Sequence, residues 1–298
     1  MIAHFHHTLG TKRNRDTFAH TARREHPGNR IQAVVFDWNG TLVDYGCFAP
    51  VEALVKTFLS RGIRIRPDEA RRALSGMERD PVRAILRSES LCGIPAERDV
   101  AGIMTDYEST LMEMLPGYCE LVPQALEVTA ALRSRKIRIG TTSPFSAPMT
   151  GILAWCAGKK GFSPDYVATP AGVPGARPHP WMIYENAMRL GIYPMHSIVK
   201  VGDSIQDIQE GINAQCWTVG IIRGGMGLGM LREDIHATPR DILREKIALV
   251  RRQLTDAGAH YVVGSLSDLP NVLDEINFRM ALGQRPSGKT PHPLSLSA

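Results

Sequence analysis

No apolar run in this 298-residue sequence approaches the roughly 18–20 residues that span a bilayer. The N-terminus also lacks a contiguous apolar core, so neither a membrane-spanning helix nor a secretory signal is expected. No C-x-x-C pair occurs. The five cysteines (Cys47, Cys92, Cys119, Cys156, Cys216) are odd in number and scattered. That excludes a cysteine zinc signature and points to a reducing, cytoplasmic setting. A nucleic-acid footprint is missing too. The formal charge is +5, but residues 1–30 carry six basic against two acidic side chains, so the rest of the chain is nearly neutral. Five of the ten histidines fall within the first 26 residues without helical pairing, which reads as incidental composition. Finally, no lysine occurs between positions 57 and 135.

What is present suffices for a large α/β domain and a smaller one, with 43% hydrophobic residues. A continuous apolar run over 31–37 predicts a strand buried on both faces. Pro50 opens and Gly62 closes a helix over 51–61, and Pro67 starts the next. Helical patterns continue over 81–90 and 97–115 until Pro116-Gly117. From 120 the pattern alternates: helix 122–135, strand 136–141, helices 146–157 and 180–191, strand 197–202, helix 205–214, strand 216–222, helix 239–257, strand 260–263 and helix 266–280. Such alternation implies right-handed βαβ units, a Rossmann-like parallel sheet, over 31–47 and 119–281. Residues 48–118 form an inserted helical cap. The basic arm (1–30) and the tail (282–298) are expected to be disordered.

Ligands of an open parallel sheet bind beyond the carboxyl ends of its strands. Four such ends carry polar residues: Asp37 in VVFDWNGTLVD, Thr141-Thr142-Ser143, Arg177 in PGARPHP, and Asp203 in SIVKVGDSIQDIQEG. Singly each has an ordinary reading, as a capped turn, an N-cap or a surface charge. Jointly, each at a strand-to-helix crossing, they point to one site.

In this order the four ends resemble the haloacid dehalogenase superfamily of aspartyl-nucleophile hydrolases. The stretches FDWNGTLVDYGCFAP, ARPHPWMIYENAMRLGIYPM and KVGDSIQDIQEGINAQCWTVG resemble its phosphonoacetaldehyde hydrolases (phosphonatases) in particular. The resemblance implies Mg2+, a homodimer and a small phosphonate or phosphorylated metabolite as partner. Asp37 is then the nucleophile. Asp37, the carbonyl of Asn39 and Asp203 hold Mg2+, with Asp207 orienting from behind. Thr141 and Arg177 are expected to act on the phosphoryl group, with Gly40, Thr41 and Thr142 binding substrate.

Two departures bear on the reaction. Asn39 stands where the superfamily's phosphatases carry an acid–base Asp, and an amide cannot protonate a leaving oxygen. Glu78 stands where phosphonatases carry the lysine that forms an imine with the aldehyde, and Phe145 where a Tyr is expected. Glu78 is therefore a candidate for work on the leaving group, and Arg79 or Arg83 for binding a substrate anion. A C–P hydrolase is the first reading. A phosphatase for an activated ester or acyl phosphate and a non-catalytic phosphate or phosphonate sensor are the alternatives.

Overall fold

The computed structural model describes residues 29–76, 80–87 and 99–287. Among them, six strands form one wholly parallel sheet: β1 (Ala33–Phe36), β2 (Arg138–Thr142), β3 (Tyr166–Ala168), β4 (Ile198–Gly202), β5 (Trp217–Ile221) and β6 (Tyr261–Val263), in the order β3-β2-β1-β4-β5-β6. The chain runs outward from β1 through β2 and β3, then returns to the other side of β1 at β4. The crevice at that reversal is where such sheets bind ligands.

Each face of β1 is covered. Val34 and Phe36 join the larger core, while Ala33 and Val35 pack with Ile183, Ala187 and Ile198 beneath α7 (Trp181–Leu190). This explains the unbroken apolar run, since neither face meets water. The remaining helices of the sheet region are α5 (Ala125–Ser134), α6 (Ala147–Lys159), α8 (Ile205–Asn213), α9 (Arg232–Ala237), α10 (Arg240–Asp256) and α11 (Leu269–Ala281). Sequence periodicity missed β3, whose three residues are too few for a pattern, and the six-residue α9.

Between β1 and β2 lie α1 (Phe48–Ser60), α2 (Pro67–Ser75), α3 (Pro81–Leu86) and α4 (Val100–Met114), with no strand among the described residues. The chain leaves and re-enters through a short antiparallel pairing: Asp44 N–H donates to the Glu120 carbonyl at 3.1 Å, and Val122 N–H to that of Leu42 at 2.8 Å. Arg71 of α2 reaches the sheet side, donating to the carbonyls of Gly46 (2.8 Å) and Met226 (3.1 Å). Gln206 at the start of α8 donates to Gly76 at 2.7 Å. These bonds hold the helices over the carboxyl ends of the strands. Among the described residues, no helix is long and apolar enough to cross a membrane. The expectations for residues 1–28 and 288–298 lie outside the described residues.

One buried histidine makes acid stability testable. His260 Nδ1 accepts from Thr218 N–H at 3.1 Å, fixing the neutral ring. Burial first, and the Arg279 guanidinium second, push its pKa down from 6.5 to about 4. A depressed value means that the stability it represents is whole above about pH 6.5 and is lost as pH falls toward about 4. Urea unfolding at pH 5 should show about 1–2 kcal/mol less stability than at pH 7 from this group. His260→Asn, which keeps an acceptor without the titration, should flatten that limb.

Candidate active site

β1 ends by presenting Asp37 at its carboxyl end. Three amides of the following turn, on Thr41, Leu42 and Val43, converge on the Trp38 carbonyl at 2.8–3.2 Å, and Gly40 N–H donates to Val43 at 2.7 Å. Gly40 has φ +79°, and a Cβ there would lie 2.7 Å from Asp203 Oδ2. Only glycine permits both the turn and the approach of Asp203. β4 ends similarly in Gly202, where a Cβ would lie 2.3 Å from Asp207 Cγ.

Arg177 is the hub. It is 4% exposed, and its fork contacts three carboxylates: Nη2 donates to Asp37 Oδ1 at 2.7 Å, Nη1 lies 2.8 Å from Asp207 Oδ1, and Nε donates to Glu210 Oε2 at 3.1 Å. Nη2 also donates to the carbonyl (2.8 Å) and hydroxyl (2.7 Å) of Thr142. Burial opposes its charge, but Asp207, Asp37 and Glu210 together outweigh that and raise its pKa. Beneath it, fully buried Lys200 lies 2.9 Å from Asp207 Oδ1 and 3.1 Å from Glu210 Oε2, and donates to Thr142 Oγ1 at 2.6 Å. Asp207 also accepts from the amide and hydroxyl of Ser204, capping α8.

Charge decides what this cluster lacks. Among the described residues, four buried carboxylates, Asp37, Asp203, Asp207 and Glu210, face two buried cations, Arg177 and Lys200. Asp203 touches neither; it accepts from Thr41 Oγ1 at 3.1 Å and Met226 N–H at 2.6 Å. Burial first, then Asp37 and Asp207, raise its pKa well above the carboxylate range. Asp37 is raised as well, burial exceeding the help from Arg177. Asp207 is instead lowered, since Arg177 and Lys200 overcome its burial. Carboxylate oxygens of Asp37, Asp203 and Asp207 lie within 4.8 Å of one another. A hard divalent cation fits this donor set and matches the two unbalanced negative charges. Asp207 is already engaged, which leaves Asp37, Asp203 and the Asn39 carbonyl, on which none of the turn's hydrogen bonds ends, as the oxygens available to it.

Asn39 is explained by Asp44. Its Nδ2 donates to Asp44 Oδ2 at 3.1 Å, and the same carboxylate accepts the first amides of α1, on Phe48 and Ala49, each at 2.9 Å. An aspartate at 39 would meet this buried carboxylate without a cation between them. The amide therefore organises the turn.

Above the cluster is a cavity of about 170 Å³. Its floor is Asp37, Asn39, Arg177 and Asp203; Cys47, Phe145 and Met149 form its wall; Leu74, Pro81, Met104, Tyr107, Glu108 and Leu111 of the inserted helices roof it. Asp37 Oδ2 has no hydrogen-bond partner among the described residues, which leaves it the unheld carboxylate oxygen of the pair.

Several expected roles need correction. Thr141 pairs with Phe36, one residue before Asp37, and its hydroxyl donates to the Tyr166 carbonyl at 3.4 Å, away from the cavity. Thr142 is level with Asp37, but its hydroxyl is held among Arg177, Lys200 and Glu210. Ser143 is the next hydroxyl along. Its Oγ accepts from Phe145 N–H at 3.1 Å, which leaves its own proton to donate. Gly40 and Thr41 support Asp203 and do not line the cavity. Arg83 is half exposed and lies 3.7 Å from Asp80, which caps α3, so it is a helix surface charge. Glu78 and Arg79 lie outside the described residues. Reading the sequence missed Lys200 and Glu210. A lysine inside the apolar strand SIVKVG and a glutamate three residues after Asp207, on the same helix face, were the available signals.

A model of the family described as haloacid dehalogenase-like hydrolase matches residues 31–215. The phosphonoacetaldehyde hydrolase of Bacillus cytotoxicus is 41% identical over 255 residues, which cover 83% of this chain and 97% of that protein. Its counterpart in Bacillus cereus is 40% identical over the same shares. Among solved structures, a phosphonoacetaldehyde hydrolase-like protein from Oleispira antarctica has a TM-score of 0.82 at 27% identity, over 87% of this chain and 97% of that one.

Proposed function

The chain belongs to the haloacid dehalogenase-like hydrolases, and from that premise we propose that it is a Mg2+-dependent phosphonatase that releases phosphate and acetaldehyde from phosphonoacetaldehyde or a close analogue. The observation that carries this reading is the floor of the cavity, where Asp37 stands with one oxygen held by Arg177 and the other open, beside a carboxylate cluster short of two positive charges.

Arg177 fixes Oδ1 of Asp37, so Oδ2 is aimed at phosphorus in line with the departing carbon. Attack forms an aspartyl-phosphate, and water then hydrolyses it. Arg177 offsets charge on the phosphoryl oxygens, and the Ser143 hydroxyl, whose proton is uncommitted, would donate to one of them. When bound between Asp37, Asp203 and the Asn39 carbonyl, Mg2+ supplies the positive charge that lets a carboxylate approach a phosphonate dianion. The roof keeps bulk water from the floor, and Lys200 holds Asp207 and Glu210 in place behind Arg177.

The test is a coupled assay of phosphate and acetaldehyde released from phosphonoacetaldehyde, with and without Mg2+. The two products should appear in equal amounts and only with the metal. Hydrolysis of acetyl phosphate without any acetaldehyde from phosphonoacetaldehyde would favour the second reading, a phosphatase for activated phosphates. Asn39 is the observation behind that reading: engaged with Asp44, it cannot protonate an alkoxide leaving group.

Metal binding also has a readout independent of turnover. At a hundredfold excess over its Kd, Mg2+ should stabilise the protein by about 2.7 kcal/mol. Asp203→Asn should abolish that gain and, by removing one uncompensated buried carboxylate, stabilise the metal-free protein. Thermal unfolding with and without Mg2+ checks both effects.

A further inference from the structure

Tyr107 is the buried polar group of the roof that the mechanism above leaves unused; its neighbour Glu108 is exposed. It sits on α4 between Ile103 and Leu111, one turn to either side, and all three are buried. Tyr107 is 4% exposed, lines the cavity, and its hydroxyl has no hydrogen-bond partner among the described residues. A buried phenol normally finds a partner, and here the cavity is the place left for one.

The need for a donor at this end follows from the bond to be cut. Carbon leaves phosphorus only if its electron pair has somewhere to go. In phosphonoacetaldehyde that sink is the aldehyde carbonyl. An imine would need a lysine, and none of the described residues lining the cavity is one. Lys56 is exposed on α1, and Lys200 is buried under Arg177. The floor's cation, Arg177, is bound to three carboxylates.

Resting on the phosphonatase reading, we propose that Tyr107 is a catalytic residue on the leaving-group side, its O–H donating a hydrogen bond to the aldehyde oxygen as that oxygen becomes an enolate. As Asp37 Oδ2 bonds to phosphorus and the C–P bond breaks, the C–P pair becomes the C=C bond and the carbonyl π pair moves to oxygen, where Tyr107 holds it. The enolate carbon takes a proton from water, giving acetaldehyde. The hydroxide so formed is consumed in hydrolysing the aspartyl-phosphate, so one water enters per turnover and no external acid or oxidant is needed. Burial first, then Cys47 and Glu108 nearby, raise the phenol's pKa. Tyr107 therefore stays a donor at neutral pH. A neutral phenol facing a developing enolate in a dry pocket is an established way to stabilise one.

Tyr107→Phe keeps the ring in the α4 stripe and removes only the donor. On phosphonoacetaldehyde its kcat should fall about 100- to 1,000-fold, the loss typical of removing one such donor, with KM changed by less than about threefold. On acetyl phosphate, whose weakly basic leaving group needs little help, the loss should be smaller by about 100-fold. Borohydride added with phosphonoacetaldehyde should leave no adduct on any lysine. Full kcat in Tyr107→Phe, equal losses on both substrates, or a lysine adduct would each overturn the assignment. Wild-type protein that releases no acetaldehyde would overturn the phosphonatase reading itself, and the role of Tyr107 with it.

Discussion

Asp37→Asn should lower phosphate release from phosphonoacetaldehyde by about 100,000-fold or more, the scale seen when a covalent nucleophile is removed. An amide oxygen at this position can still accept from Arg177, so the geometry of the floor is kept. It cannot form the aspartyl-phosphate. The same change removes a negative charge from a cluster with four carboxylates and two cations, and burial already raises the pKa of Asp37. The variant should therefore unfold at a urea concentration no lower than the wild type in the absence of Mg2+. Loss of activity with stability retained separates a chemical role from a structural one, and urea titrations beside the phosphate assay read both.

The second large effect is on stability. Arg177→Met should destabilise the fold by about 3–5 kcal/mol, because removing one partner of a buried ion pair strands the other. Asp207 and Glu210 would then rely on Lys200 alone, and Asp37 would lose its ion-pair partner. Arg177→Lys keeps the charge but cannot place donors on all three at once, since an ammonium lacks the planar fork. It should retain more stability than Arg177→Met and still lose most of the activity, because Asp37 Oδ1 would no longer be fixed. Denaturant midpoints and slopes for both variants, compared with turnover, check this ordering.

Much of this was legible before the structure. Apolar runs ending in Asp37 and Asp203 marked two buried parallel strands with carboxylates at one sheet edge, and the structure has both. Proline and glycine punctuation located the inserted helices because those residues act locally on backbone conformation. The hydroxyl after β2 was harder. Thr141, Thr142 and Ser143 are chemically alike, and choosing among them needs register, which places Thr141 one residue too deep. Lys200 and Glu210 went unread because their meaning comes from Arg177, distant in sequence. Tyr107 was hidden for a different reason. Its spacing with Ile103 and Leu111 is that of a core stripe, and a pattern of apolar positions does not say which ring edge meets a cavity.

In the proposed reaction the phosphoryl group passes through Asp37. Acid quench of the wild-type protein during turnover of phosphonoacetaldehyde with Mg2+, followed by mass spectrometry of the peptide containing residues 31–47, tests this directly. The peptide should gain the mass of one phosphoryl group on Asp37, and the gain should vanish when Mg2+ is withheld. Steady release of phosphate and acetaldehyde with no phosphoryl group on Asp37, or with one on another residue, would contradict it.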